Sequence, residues 1–154
     1  MGMRSVLLVC TANQCRSPMA MAILRSKVEQ LPGEWKIESA GTWAVEGIPA
    51  SPKTQEVMAE LGLDLRDHRS RMVTREMLSA FNLILVMEPG QKEALNIEFP
   101  GAASRIYLLS EMIGAIFTIT DPVGGEIEGY RTTAREIEQI LTDGLEKIVN
   151  LAQA

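Results

Sequence analysis

Two kinds of apolar pattern alternate along the chain. Ser5 to Val9 is a short continuous apolar run with β-branched residues, the pattern of a strand buried on both faces. Ser17-Pro18 then reads as a helix start: Ser is a favoured N-cap, and Pro suits the first helical position because its missing N–H would be unpaired there anyway. That helix is expected to reach about Leu31 and stop at Pro32-Gly33. Trp35 to Ala40 reads as a second strand and Gly41 to Pro52 as a loop. Lys53 to Leu61 reads as a helix closed by Gly62, and Thr74 to Phe81 as a short helix. Leu83 to Met87 is an apolar, central strand, Gly90 to Phe99 a weak helix and Arg105 to Leu109 another strand, followed by a loop from Ser110 to Gly125.

The last element has the clearest period. Tyr130, Ala134, Ile137, Leu141, Leu145 and Ile148 recur every three or four residues, with charged residues opposite, which predicts one long amphipathic helix on a sheet. Gly144 inside it is expected to cost about 1 kcal/mol relative to Ala. Strands alternating with helices predict an α/β fold of three layers: a central, mainly parallel four-stranded sheet with helices on both faces. Ligands of such folds sit beyond the carboxyl ends of the strands, where Cys10 to Ser17 falls.

The chain has 154 residues, which suits a single domain spanning 1–154, and 46% hydrophobic residues are enough for a core. A net charge of −5 argues against general binding of nucleic acid or anionic membrane. The basic stretch Arg66, Arg69, Arg71 and Arg75 includes Asp67, lacks interleaved aromatics and reads as a solvated face. Cys10 and Cys15 read as reduced thiols of a soluble cytoplasmic protein. With His68 they make no four-ligand metal pattern, and no apolar stretch approaches a membrane span.

Strand, short loop and helix start together make an anion site. Successive backbone N–H groups converge on it, the helix N-terminus adds positive charge, and Arg16 adds a planar fork for two phosphate oxygens. A cysteine at the entrance of such a site is favoured as the nucleophilic thiolate and faces phosphorus for in-line attack.

Val9-Cys10-Thr-Ala-Asn-Gln-Cys-Arg-Ser-Pro18 resembles the phosphate loop of the low-molecular-weight protein-tyrosine-phosphatase family. Ser39-Ala-Gly-Thr42, Asp67-His-Arg-Ser-Arg71, Asn82-Leu-Ile-Leu85 and Asp121-Pro122 follow in that family's order and spacing. The resemblance implies a phosphocysteine mechanism without cofactor or metal. Cys10 is then the nucleophile, Arg16 the phosphate clamp, and Asp121 the acid that protonates the leaving group and later activates water. Residues 11–17 (Thr11, Ala12, Asn13, Gln14, Cys15, Arg16, Ser17) would bind phosphate or a similar oxyanion. Asn13 would support the loop through Ser17, Ser39 and His68, and Ser17 would donate to the thiolate. Read alone, these are an N-cap serine, a strand-end polar group and a surface histidine. Cys15 would be the redox partner of the nucleophile.

The chain departs from the family at Ala12, at Val123-Gly124 and at Met21, which stands where an acidic residue is common at the start of this helix. Ala12 replaces the usual Gly, a strain of roughly 1 kcal/mol or more if that backbone is left-handed. Val123-Gly124 replaces the aromatic pair that follows Asp-Pro in many tyrosine-specific members, which leaves Trp43 and Val123 as candidate pocket residues. Thr11 beside the nucleophile, with Asp-Pro-x-Gly-Gly, resembles members acting on phosphoarginine. A phosphotyrosine protein is the expected substrate and a phosphoarginine protein the alternative. More remote are a thiol-linked arsenate reductase, which needs further cysteines, and a non-catalytic phosphate-binding module, which would not need Cys10, Arg16 and Asp121 together.

Overall fold

The structure, a computed structural model, describes residues 2–154. Its sheet has the order β2-β1-β3-β4, formed by β1 (Arg4–Cys10), β2 (Trp35–Gly41), β3 (Leu83–Val86) and β4 (Ile106–Leu108). All three pairings are parallel, so the sheet is wholly rather than mainly so. Side chains alternate across it. Val6, Leu8 and Cys10 enter one apolar cluster and Leu7 and Val9 the other. Burial on both faces is why Val6–Val9 of β1 and the whole of β3 are apolar without alternation.

The Cys10 face is covered by α1 (Arg16–Val28), α2 (Pro52–Glu60), α5 (Ile127–Asp143) and α6 (Leu145–Leu151). The other face holds α3 (Arg75–Ser79) and α4 (Pro89–Glu98). The open edge at β2 is closed by arginines: Arg25 donates from Nε and Nη2 to Ile37 O, and Arg71 Nε donates to Ser39 O. Among the described residues no helix is long and apolar enough to cross a membrane.

Two expectations are corrected. Ser17 is not an N-cap: α1 begins at Arg16 with Cys15 at the cap position and no side-chain cap bond, because the Ser17 hydroxyl is engaged by Asn13 and Cys10. The final helix is not continuous but breaks at Gly144 into α5 and α6. A Cβ on Gly144 would lie 2.7 Å from Met112 Cβ and 2.9 Å from Met112 O, in the 3-10 turn Leu109–Ile113. The glycine is therefore the condition for close packing rather than a propensity loss that Ala would recover.

Candidate active site

The segment between β1 and α1 is shaped by its carbonyls. Cys10 O accepts from Thr42 N–H (2.9 Å), Thr11 O from Trp43 N–H (3.0 Å) and Gln14 O from Ser51 N–H (3.1 Å). Asn13 O accepts from His68 Nε2 at 2.8 Å, and since a carbonyl can only accept, Nε2 carries the proton. In a trans peptide the C=O and the following N–H point opposite ways. With four carbonyls drawn outward, the N–H groups of Thr11, Ala12, Gln14 and Cys15 turn toward the concave side. They join the start of α1 as an anion nest. The clamp depends on Gly41, whose register partner is Cys10: a Cβ there would run into Thr11 O and lie 2.9 Å from Ala44 Cβ.

Asn13 holds the loop from inside. It is fully buried and, at φ 60°, is the only non-glycine residue with positive φ among those described. Asparagine tolerates this conformation better than most residues. Ala12 is therefore outside the left-handed region and carries no such strain. Asn13 Nδ2 donates to Ser17 Oγ (2.8 Å) and Ser39 Oγ (2.9 Å), and Oδ1 accepts from Arg71 N–H (3.1 Å). Because Asn13 occupies a lone pair of Ser17, the Ser17 proton is free to point at Cys10 Sγ, 3.0 Å away; the other acceptor, Ala40 O, lies at 3.4 Å. Burial, offset by the bond to Asn13 O and reinforced by Arg25, Arg69 and Arg71, lowers the pKa of His68 and keeps it neutral.

Arg16 is 2% exposed. Its Nη1 donates to Glu88 Oε2 (2.8 Å) and to Ile119 O (2.8 Å), which uses both hydrogens of that nitrogen. The guanidinium is thereby turned so that its remaining N–H groups are available for two anion oxygens. Asp121 Oδ2 lies 3.6 Å from Arg16 Nη2, while Oδ1 accepts from Val123 N–H (3.1 Å). Oδ2 is therefore the carboxylate oxygen on the Arg16 side, without a backbone donor.

The other predicted residues are less concentrated. Thr11 Oγ1 accepts from Gln91 Nε2 at 3.0 Å, while Gln91 Oε1 accepts from the N–H groups of Met87 and Glu88. Cys15 is a buried free thiol, 3.5 Å from Ser51 Oγ, and neighbours Tyr130, whose phenol is pushed up by burial first and by Cys15 second. Trp43 meets the loop through its N–H on Thr11 O, and Val123 meets Asp121 through its N–H on Oδ1; the two residues are 79% and 67% exposed. The basic stretch is consumed locally: Arg66 pairs with Asp64 and holds its carboxyl down at about 2, Arg71 pairs with Glu38, Arg69 donates to carbonyls and Arg75 lies over Phe99.

Glu88 and Gln91 went unread in the sequence. A usable signal was present, because Glu88-Pro89-x-Gln91 directly after a strand has the form of a helix start at the ligand-bearing end of the sheet.

The sequence model described as "Low molecular weight phosphotyrosine protein phosphatase" matches residues 5–153. The chain belongs to this family. One relative is a protein-arginine-phosphatase of Geobacillus stearothermophilus, 38% identical over 144 residues, or 93% of this chain and 95% of that one. Another is a probable low molecular weight protein-tyrosine-phosphatase, EpsP, of Ralstonia nicotianae (strain ATCC BAA-1114 / GMI1000), 37% identical over 136 residues, or 88% and 90%. Among solved structures, a low molecular weight protein tyrosine phosphatase from T. tengcongensis matches with TM-score 0.89 and 38% identity, covering 94% of this chain and 99% of that one. In this family member Cys10 closes β1, immediately before the loop that leads into α1.

Proposed function

We propose that the chain is a cysteine-dependent phosphatase of phosphotyrosine proteins. The observation that carries this reading is the convergence of Cys10 Sγ, the outward-clamped loop, the two-acceptor anchoring of Arg16 and the Asp121 Oδ2 beside it. In the first step the Cys10 thiolate attacks phosphorus. An S–P bond forms, the P–O bond to the tyrosine breaks, and Asp121 gives its proton to the leaving phenolate. In the second step Asp121 takes a proton from water as that water attacks phosphorus. The S–P bond breaks, orthophosphate forms and the thiolate returns. The loop N–H groups and Arg16 offset the charge of the equatorial oxygens, and Ser17 donates to the thiolate as it departs.

Phosphoarginine is the second reading. It is favoured by the Thr11 hydroxyl held at the loop by Gln91 and by the arginine-phosphatase relative. Hydrolysis of matched phosphotyrosine and phosphoarginine peptides, with Cys10→Ser as control, decides between them. Absence of Cys10-dependent turnover of either would refute the phosphatase reading. The reading also places the enzyme in the cytoplasm, where Cys10 stays reduced, and makes Cys15 the partner that captures an oxidised Cys10 as a disulfide.

A further inference from the structure

Asp121 lies in a segment, residues 114–126, that contains no helix or strand. A carboxyl on such a loop transfers protons well only if its direction is fixed. Several bonds hold the segment. Ile119 N–H donates to Met87 O (2.9 Å), Arg16 donates to Ile119 O, and Lys53 Nζ donates to Gly125 O (2.6 Å).

The carboxyl itself accepts from Val123 N–H at Oδ1 (3.1 Å), and the hydrogen bond nearest to its backbone from another element comes from α5. Thr133 Oγ1 donates to Thr120 O at 3.1 Å, the carbonyl of the peptide that joins Thr120 to Asp121. A helical threonine ordinarily returns its hydroxyl to its own helix at the i−4 carbonyl. Thr132 does so, donating to Glu128 O at 2.9 Å. Thr133, its neighbour and only 3% exposed, instead reaches out of the helix. Because the peptide is planar, holding that carbonyl fixes the plane from which the Asp121 Cα–Cβ bond departs. Pro122 restricts the backbone on the other side.

We propose that Thr133 is a positioning residue that aims the Asp121 carboxyl at the leaving group; this rests on the reading of Asp121 as the acid. The hydroxyl touches neither substrate nor reacting atoms and acts through one backbone plane. Its loss should fall on reactions that depend on proton donation and spare those that do not. Among aryl phosphates, a weakly acidic leaving phenol needs the proton and p-nitrophenol needs it much less.

The test measures kcat/KM for p-nitrophenyl phosphate and phenyl phosphate with the wild type, Thr133→Val, Thr133→Ser and Asp121→Asn. Val is nearly isosteric, and urea unfolding verifies that each variant is folded; Thr133→Ala replaces Val if Val does not fold. General acids contribute roughly 10²–10⁴ in rate, so partial misdirection in Thr133→Val is expected to lower phenyl phosphate turnover about tenfold. The change for p-nitrophenyl phosphate is expected to stay within about twofold, and Thr133→Ser, which keeps the hydroxyl, to restore the wild-type ratio. An equal fall for both substrates, or no fall, would overturn the role of Thr133. If Asp121→Asn itself leaves the ratio unchanged, the assignment of Asp121 as acid fails, and the inference falls with it.

Discussion

Replacing Asn13 by Ala removes three side-chain hydrogen bonds, to Ser17, to Ser39 and from Arg71 N–H, at a buried site with φ 60°. At about 1 kcal/mol net for each bond, the network contributes about 3 kcal/mol. Placing an alanine in the left-handed conformation adds about 1–2 kcal/mol. The sum, about 4–5 kcal/mol, is a large part of the 5–15 kcal/mol stability of an ordinary domain. Glycine at the same position loses the bonds but escapes the backbone strain, so Asn13→Gly should be more stable than Asn13→Ala by about 1 kcal/mol. Urea unfolding of the three proteins reads these differences. Phosphatase activity should fall in both variants even where they are folded, because Ser17 loses the donor that directs its proton to Cys10 Sγ. A loss below about 1 kcal/mol in Asn13→Ala, with activity intact, would show that the outward-clamped carbonyls alone shape the loop.

Further perturbations have expected outcomes. Gly144→Ala should lower the melting temperature, although helix propensity alone would raise it, because its Cβ meets Met112; a rise would refute the packing argument. Gly41→Ala should depress kcat/KM more than stability, since its Cβ displaces Thr11 inside the loop; a change in stability alone would count against this. Glu88→Ala leaves Arg16 Nη1 one acceptor short and should reduce kcat/KM about tenfold, the equivalent of 1.4 kcal/mol, with Glu88→Gln recovering most of it. The pKa of His68 is lowered below its ordinary 6.5 in the folded chain, so the unfolded chain binds the extra proton first. Stability is then full above about 6.5 and falls as the pH drops from there toward the lower folded value, a slope that His68→Gln should flatten in urea titrations between pH 7.5 and 5.

The sheet was legible because burial on both faces leaves a strong mark: Val6–Val9 and Leu83–Met87 are apolar without interruption. The loop was legible because its cysteine, asparagine, arginine and serine stand in one contiguous stretch between a strand and a helix start. What the sequence hid was set by tertiary contact. Ser17 has the identity of a cap, yet Asn13 and Cys10 claim its hydroxyl first. Gly144 has the identity of a helix weakener, yet Met112 needs the space. Glu88 joins the site across 72 residues, so its helix-start pattern does not name Arg16 as its partner, and Thr133 acts through a carbonyl 13 residues away with no local pattern.

The bonds that shape the phosphate loop span the chain: 26 residues from Asn13 to Ser39, 55 to His68, 58 to Arg71, and from Arg16 72 to Glu88 and 103 to Ile119. Each such closure costs entropy before it returns any contact energy. A growing chain on the ribosome that has emerged only through β2 therefore has the whole signature loop and Ser39 but lacks His68, Arg71, Glu88 and Ile119 to hold it. In refolding, turnover should return after helix content and core burial, with the slowest event. Recovered activity thus counts molecules that are folded from end to end, and a partly folded population is silent in that assay however native its helices are.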